Sequence, residues 1–472
     1  MNRDLITAQL DRCLDRIDLP ELGSSHRGKV RDSYIVGDRR LLIATDRVSA
    51  FDRVFDELIP FKGQVLNQLA AFFLRKARDI VRTHLIDVPD PNVTVAQNAQ
   101  ALPVEVIVRG YLTGSAWRDY VDGRFTTAYG FTLPEGLSMN ASLATPIVTP
   151  TTKAHSGHDE PITHEQAAAL VGGQARWAEI VGTSLALFAQ GTELAAGRGL
   201  ILVDTKYEFG LIEEALILID ELHTPDSSRY WYTIAYTADS ADPEQISKEF
   251  LRDWLRRQGF TGDGPLPALP TEVRVEIAER YLALYRAFTG QDLVPSFGEE
   301  IKTRIWHALQ AKAYIRGGMV SIIMGSAADE PIAAKVRRIL DAYDVPSVVH
   351  VASAHKVPER VMRIVDACNR SAQPLVHITI AGRSNGLSGV TAANAVHPVI
   401  ALPAFADQAD YLVNIHSSLQ MPSETPVMTV IDPQNAALAA LRILAQADPK
   451  LRERLTKQVA TMKARFDQEV LV

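Results

Sequence analysis

The sequence predicts two fold classes in one chain: a mixed α+β region over roughly the first 300 residues, then a parallel α/β region. Three observations carry this. The early chain mixes hairpin-like apolar runs, proline-rich loops and helices, as in "VRDSYIVGDRRLLIATD", where "GDRR" separates two β-rich runs. After residue 318 short apolar strands alternate with helical segments: "MVSIIMGS", "PIAAKVRRILDAY", "VPSVVHVASAH", "VPERVMRIVDAC", "PLVHITIAG". That alternation is the pattern of a parallel sheet with crossover helices. Finally, 472 residues are too many for one hydrophobic core, and length alone points to about three domains.

Taking the elements in order, "MNRDLITAQLDRCLDRIDL" reads as an amphipathic helix through Leu5, Leu10 and Leu14. It has acidic residues throughout and lacks the apolar core of a signal peptide. "EVRVEIAERYLALYRAFTG" reads as a helix ended by Gly290, and "QDLVPSFGEEIKTRIWHALQAKAYIRGG" bridges to the second region. The expected divisions are 1–300, with lobes of about 1–110 and 111–300, a linker over 301–318, and 319–472. At 47% hydrophobic and 22% charged residues the chain is globular, and a mild net charge of −7 points to neither nucleic acid nor anionic membrane as a bulk partner. No apolar run reaches the length of a membrane span. Cys13 and Cys368 lie too far apart in sequence to indicate a disulfide framework or a cysteine metal site. The expected location is the cytoplasm.

"GSSHRGKV" nearly spells a phosphate-binding P-loop, but Val30 stands where a magnesium-binding hydroxyl belongs. A P-loop also needs a strand before it and a helix after it. Here Pro20 interrupts the preceding segment and β-rich runs follow, so the stretch reads as a hairpin. Its Lys29 and Arg31 point the same way, as a lid over phosphates or an ordinary basic turn would require. "LPVEVIVRGYLTGSAW" ends an apolar run in Arg109, followed by Gly110, Gly114 and Ser115, a set that suits a carboxylate or phosphate, or an arginine capping a surface turn. In "ILVDTKYEFG", Asp204, Lys206 and Glu208 alternate and so share one strand face. They read as a salt-bridged edge strand or, with the acidic pair that follows, as part of a magnesium site. Asp220 and Glu221 end the next apolar strand, and acidic groups at adjacent strand ends hold magnesium against nucleotide phosphates.

These motifs, with "RGKVRDSY", "ATDRVSAFD" and "DELHTPDSSRYW", resemble the phosphoribosylaminoimidazole-succinocarboxamide (SAICAR) synthase family over roughly the first 300 residues. "PTTKAHSGHDEPIT" resembles its longer, yeast-like branch. The resemblance implies a SAICAR-synthase fold, with a kinase-like β-rich lobe beside an α/β lobe, and a glycine-bearing hairpin over ATP. It implies ATP-driven joining of an imidazole carboxylate nucleotide to L-aspartate. A carboxylate is a poor electrophile, so ATP converts it into an acyl phosphate that the amine then displaces. By resemblance, Lys29 and Arg31 bind ATP phosphates, and Glu208 and Asp220 hold Mg2+. Arg109, Ser115 and Arg229 grip the imidazole nucleotide, with Asp46, Arg47 and Lys153 also at the substrate site. Asp204 and Lys206 line the reacting centre, and the loop Thr152–Asp159 closes over substrate. His155 and His158 in that loop are read as metal-free.

In the second region, "IIMGSAADEP" runs strand, Gly325–Ser326, then helix, so amides and the Ser326 hydroxyl form an anion site beside Asp329. The next strand ends in Ser353, His355 and Lys356, and the third in Arg383, Ser384, Asn385 and Gly386. Ligands of open parallel sheets bind at this carboxyl edge, and His355 reads as the proton-transfer group. "MGSAAD", "SAHKVPE" and "SSLQMPSETPV" resemble the phosphoribosylaminoimidazole (AIR) carboxylase family over 319 to about 445. That resemblance implies a flavodoxin-like three-layer α/β/α domain, carboxylation of AIR, and a homo-octamer with sites between subunits. Lys356 and "GRSNGL" resemble the animal-type enzyme, which takes CO2 directly, with bicarbonate as its source. The bacterial-type mutase, which moves a carboxylate from the exocyclic nitrogen, is the alternative. A nucleotide-sensing regulator with a receiver-like domain is an alternative of another class. It would need a phosphoacceptor Asp after a strand, where the third strand offers Arg383–Ser384–Asn385.

Overall fold

The computed structural model describes residues 2–19, 22–23, 25–153, 159–236, 243–246, 248–295, 300–315, 317–371 and 373–468. The chain divides into two compact units, Met1–Ile305 and Trp306–Val472. The first holds strands β1 (Ser25–Arg27), β2 (Arg31–Val36), β3 (Arg39–Ala44), β4 (Ser49–Ala50), β5 (Arg53–Val54), β6 (Leu85–Asp90), β7 (Val93–Gln97), β8 (Gln100–Tyr111), β9 (Ser142–Thr152), β10 (Leu200–Ile212), β11 (Ala215–Ile219) and β12 (Ser228–Tyr232). One sheet runs β1-β2-β3-β7-β6; a second runs β11-β10-β8-β9, with β12 on β10.

The opening motif is a hairpin. Ser25 pairs with Tyr34 and Arg27 with Asp32, and the Gly28 amide donates to the Arg31 carbonyl at 2.8 Å. A β-carbon on Gly28 would stand 2.7 Å from that oxygen, so only glycine closes the turn this tightly. In the second sheet the period of two decides everything about the site. Val104, Val106 and Val108 of β8 enter the core, which turns Glu105, Ile107 and Arg109 to the other face. On β10, Tyr207 and Phe209 enter the core, and Asp204, Lys206 and Glu208 stand opposite Arg109, Ile107 and Glu105.

Two elements differ from the sequence reading. The first helix covers only Arg3–Thr7, capped by the Asn2 side chain; Leu14 instead donates its amide to the Asp46 carboxylate at 2.7 Å, which holds the chain out of helix. Residues 301–318, expected as a linker, include the helix Ile301–Ala311. The helix Thr271–Thr289 ends as expected, on Gly290 at φ +72°.

The second unit contains β13 (Met319–Met324), β14 (Ser347–Val351), β15 (Leu375–Ala381), β16 (Val399–Pro403) and β17 (Met428–Thr429), all parallel in the order β14-β13-β15-β16-β17. Helices Glu330–Asp341 and Pro433–Leu444 pack on one face through Val336, Leu340 and Leu441. Pro358–Asn369 and Gly386–Asn394 contribute Val361, Val365 and Leu387 to the other. This is a three-layer, flavodoxin-like sheet, with every strand's carboxyl end at one edge.

Candidate active sites

In the first unit, β8, β10, the turn before the helix Gly114–Val121 and the helix Glu249–Arg257 enclose a cleft of about 450 Å³. Asp204 is its hub. Arg109 donates to Asp204 at 3.0 Å, to Thr149 Oγ1 at 2.8 Å and to Ser115 Oγ at 3.1 Å, while Arg229 Nε lies 3.5 Å from the same carboxylate. Strand pairing puts them there, since both Arg109 and Arg229 are cross-strand partners of Asp204. Two guanidiniums on one carboxylate leave the cleft wall with surplus positive charge.

Lys206 lies between Glu105 (2.5 Å) and Glu208 (2.7 Å), and Lys153 pairs with the other oxygen of Glu208. Burial disfavours the Lys206 charge, but Glu208 and Glu105 hold its ammonium above the ordinary lysine range. Burial likewise opposes Glu208 ionisation, yet Lys206 and Lys153 keep it well below the usual carboxylate range. Glu105 is pushed up to about 7, first by burial, with Lys206 opposing and Glu208 adding. Asp220 follows Ile219, the strand partner of Glu208, and takes a left-handed φ of +67°. Its carboxylate meets Arg31 at 2.6 Å, with Glu221 at 3.5 Å from the same guanidinium.

Of the basic hairpin, Lys29 is exposed and pairs at 2.6 Å with Asp52, which lines the cleft. Arg31 turns instead to Asp220. Asp46 and Arg47 do not line the cleft. Asp46 accepts the amides of Leu14 and Gly63 and is pushed up to about 6 by burial. Arg47 pairs with Asp32 at 2.6 Å and donates to the carbonyls of Gly28 and Lys29, which fixes the hairpin turn from below. Of the loop Thr152–Asp159, residues 154–158, including His155 and His158, lie outside the described residues.

In the second unit the carboxyl edge gathers the expected residues. Ser326 caps Ala328, and its own amide donates to Asp329 at 3.0 Å, a reciprocal capping box at the start of a helical turn. The exposed His355 packs against Gly386: a β-carbon there would stand 2.9 Å from its Cε1 and Nε2. Asn385 is buried, donates to Ser418 Oγ at 2.9 Å and accepts from Ser388, and its amide donates to Ser417 Oγ. Ser417 in turn donates to the carbonyl of Arg383, a residue at φ +54°. Ser353, Lys356 and Ser384 lie on the same loops, after β14 and β15.

The SAICAR synthetase family model matches residues 24–266. The chain belongs to the SAICAR synthetase family. The AIR carboxylase model matches residues 319–465, so an AIR carboxylase domain forms the second unit. The chain is 46% identical over 282 residues to phosphoribosylaminoimidazole-succinocarboxamide synthase of Cytophaga hutchinsonii, covering 58% of this chain and 91% of that one. The Bacteroides fragilis (strain ATCC 25285) synthase is 47% identical over 296 residues, covering 61% and 94%. SAICAR synthase of Saccharomyces cerevisiae, solved in complex with SAICAR, is 32% identical with a TM-score of 0.54, covering 60% of this chain and 100% of that one. The protein is a bifunctional enzyme of purine biosynthesis, a ligase joined to an AIR carboxylase-family domain.

Sequence reasoning missed much of the synthetase cleft. Lys248, Arg252 and Arg256 repeat every four residues along one helical face and line it, and that spacing was a legible signal. Glu249 ties the arginines down, lying 2.9 Å from Arg252, 3.0 Å from Arg256 and 3.8 Å from Arg229. In the carboxylase domain the missed contacts are Ser417 and Ser418, which brace the Arg383–Gly386 loop. No helix among the described residues is long and apolar enough to cross a membrane.

Proposed function

We propose that the synthetase domain uses ATP to turn an imidazole carboxylate into an acyl phosphate and then joins it to the amine of L-aspartate, releasing ADP and phosphate. The observation that carries this is the Arg109–Asp204–Arg229 cluster beside Lys206 in one cleft, a cationic wall suited to a carboxylated nucleotide. Lys29 and Arg31 serve the ATP phosphates, Arg109, Ser115 and Arg229 the imidazole nucleotide, and Lys153 and Lys206 the transferring phosphoryl group. Asp46 and Arg47 support the site from behind.

Glu208 and Asp220 fit a magnesium ion. Both are oxygen donors, Asp220 just past the end of β11 and Glu208 on β10 opposite Ile219, and their charge is balanced by the side chains of Lys153, Lys206 and Arg31, which can rotate to ATP oxygens as a cation arrives. When bound, the ion neutralises charge on the nucleotide phosphates.

For the carboxylase domain we infer direct attack of the AIR ring carbon on CO2, with His355 removing the ring proton that restores aromaticity, and Ser326, Asp329, Ser353, Lys356 and Arg383–Gly386 holding the nucleotide. Exposed Leu412 (61%), Leu419 (60%) and Met428 (43%) support a homo-oligomer formed through this domain. The product of one domain is then the substrate of the other. ADP release measured with AIR, bicarbonate and aspartate together tests the whole reading. Dependence on all three is expected; ADP release indifferent to AIR would overturn it.

A further inference from the structure

One carboxylate in the synthetase domain serves two lysines. Asp226 Oδ2 lies 2.9 Å from Lys62 Nζ and 3.7 Å from Lys248 Nζ, and the Tyr281 hydroxyl donates to Oδ1. Lys62 has no exposed surface and sits 5.7 Å from the Tyr281 ring centroid, so the closer ion pair belongs to it. Lys248 alone of the two lines the cleft, where its Nζ also reaches Ser49 Oγ at 3.3 Å. It stands beside a carboxylate already matched, with Lys62 and Arg252 as added positive charges and Glu221 as the further negative one. A lysine that is desolvated next to other cations sheds its proton readily and becomes a base.

We propose that Lys248 is the general base of amide formation, taking a proton from the ammonium group of the incoming aspartate. This rests on the acyl-phosphate reading above. The neutral Lys248 amine accepts one ammonium proton. The freed nitrogen lone pair forms the C–N bond, and the C–O bond to the phosphoryl group breaks. The departing phosphate carries away the second proton, leaving one hydrogen on the amide. Other cleft groups fit this role less well: Lys206 is held charged by two carboxylates, and Asp204 is matched by two guanidiniums. Burial, with Lys62 and Arg252 adding and Asp226 opposing, pushes the Lys248 amine down to about 8.

The test separates the two chemical steps in the full-length enzyme. Oxygen-18 scrambling in ATP, with the imidazole carboxylate present and aspartate absent, reports acyl-phosphate formation; its absence in the wild type would overturn the acyl-phosphate reading and this proposal with it. Given scrambling, K248M is expected to retain it while SAICAR formation falls about 10²- to 10⁴-fold. Hydroxylamine, already unprotonated at neutral pH, should still trap the intermediate in K248M. K248R, which keeps the charge but cannot accept a proton, should be as impaired as K248M. Wild-type kcat at saturating substrates should rise with pH to a plateau above about 8, and the variants should lose that limb. Recovery of amide formation in K248R, loss of scrambling together with ligation in K248M, or an unchanged pH profile would each remove Lys248 as the base.

Discussion

Gly114 lies against the guanidinium of Arg229: a β-carbon there would stand 2.7 Å from Cζ and nearer still to both terminal nitrogens. Gly114 also holds φ +60°, so a side chain is excluded twice, by strain and by contact. The bare glycine leaves Arg229 the room to lie beside Asp204 at 3.5 Å and Glu249 at 3.8 Å. Gly114→Ala is expected to lower kcat/KM for the imidazole substrate by about 10- to 100-fold, since a displacement near 1 Å is worth that much. The KM for ATP should hold. A change confined to ATP would show that Arg229 serves the other substrate.

Glu208 anchors two ammonium groups, Lys206 and Lys153. Glu208→Gln removes a proposed metal ligand and also leaves both lysines with less negative charge. Synthetase turnover should fall by about 10²-fold or more, the scale for losing one electrostatic partner of the transition state. Carboxylation of AIR by the same preparation should persist. Equal loss of both activities would indicate misfolding instead.

His377 in β15 is fully buried, and among the described residues neither of its ring nitrogens nor the hydroxyl of its strand partner Ser321 has a hydrogen-bond partner. Burial, with His397 and His350 adding, pushes His377 down to about 3. The sign follows from linkage. Above pH 6.5 neither state binds the proton, whereas below it the unfolded chain does and the folded chain does not, so stability is lost as pH falls toward 3. Relative to wild type, His377→Leu should lose about 2 kcal/mol less stability between pH 7 and pH 5, from about 1.4 kcal/mol per unit of differential protonation. Hydrogen exchange of the β13 and β15 amides at the two pH values reads this out. Equal acid sensitivity in the variant would move the effect to other groups.

What was legible followed from periodicity. Asp204, Lys206 and Glu208 declare a shared face because strands alternate, and Arg109 joins them because the opposite face of β8 is three valines. The carboxyl-edge cluster was readable for the same reason, once three strands were seen to be parallel. Lys62 and Asp226 were not: 164 residues separate them, and the fold alone makes them neighbours. Nor was the charge balance. Arg31 and Asp220 read as separate ligands of ATP and metal, whereas the fold pairs them with each other.

His355 and Gly386 supply the last prediction, because their contact joins two strand ends into one site. The ring lies where any side chain at position 386 would go. Adding CO2 at the AIR ring carbon makes a tetrahedral centre that must lose a proton, and the His355 imidazole stands at the carboxyl edge to take it. His355→Asn should therefore stop carboxylation while AIR still binds. Gly386→Ala should displace the ring and lower kcat with a smaller effect on AIR affinity. If CO2 is the true substrate, the wild-type rate with AIR should respond to bicarbonate in degassed buffer, without ATP, and the N-carboxylated isomer should turn over slowly. Fast turnover of that isomer, indifferent to bicarbonate yet still lost in His355→Asn, would keep His355 as the proton carrier and make the domain a mutase.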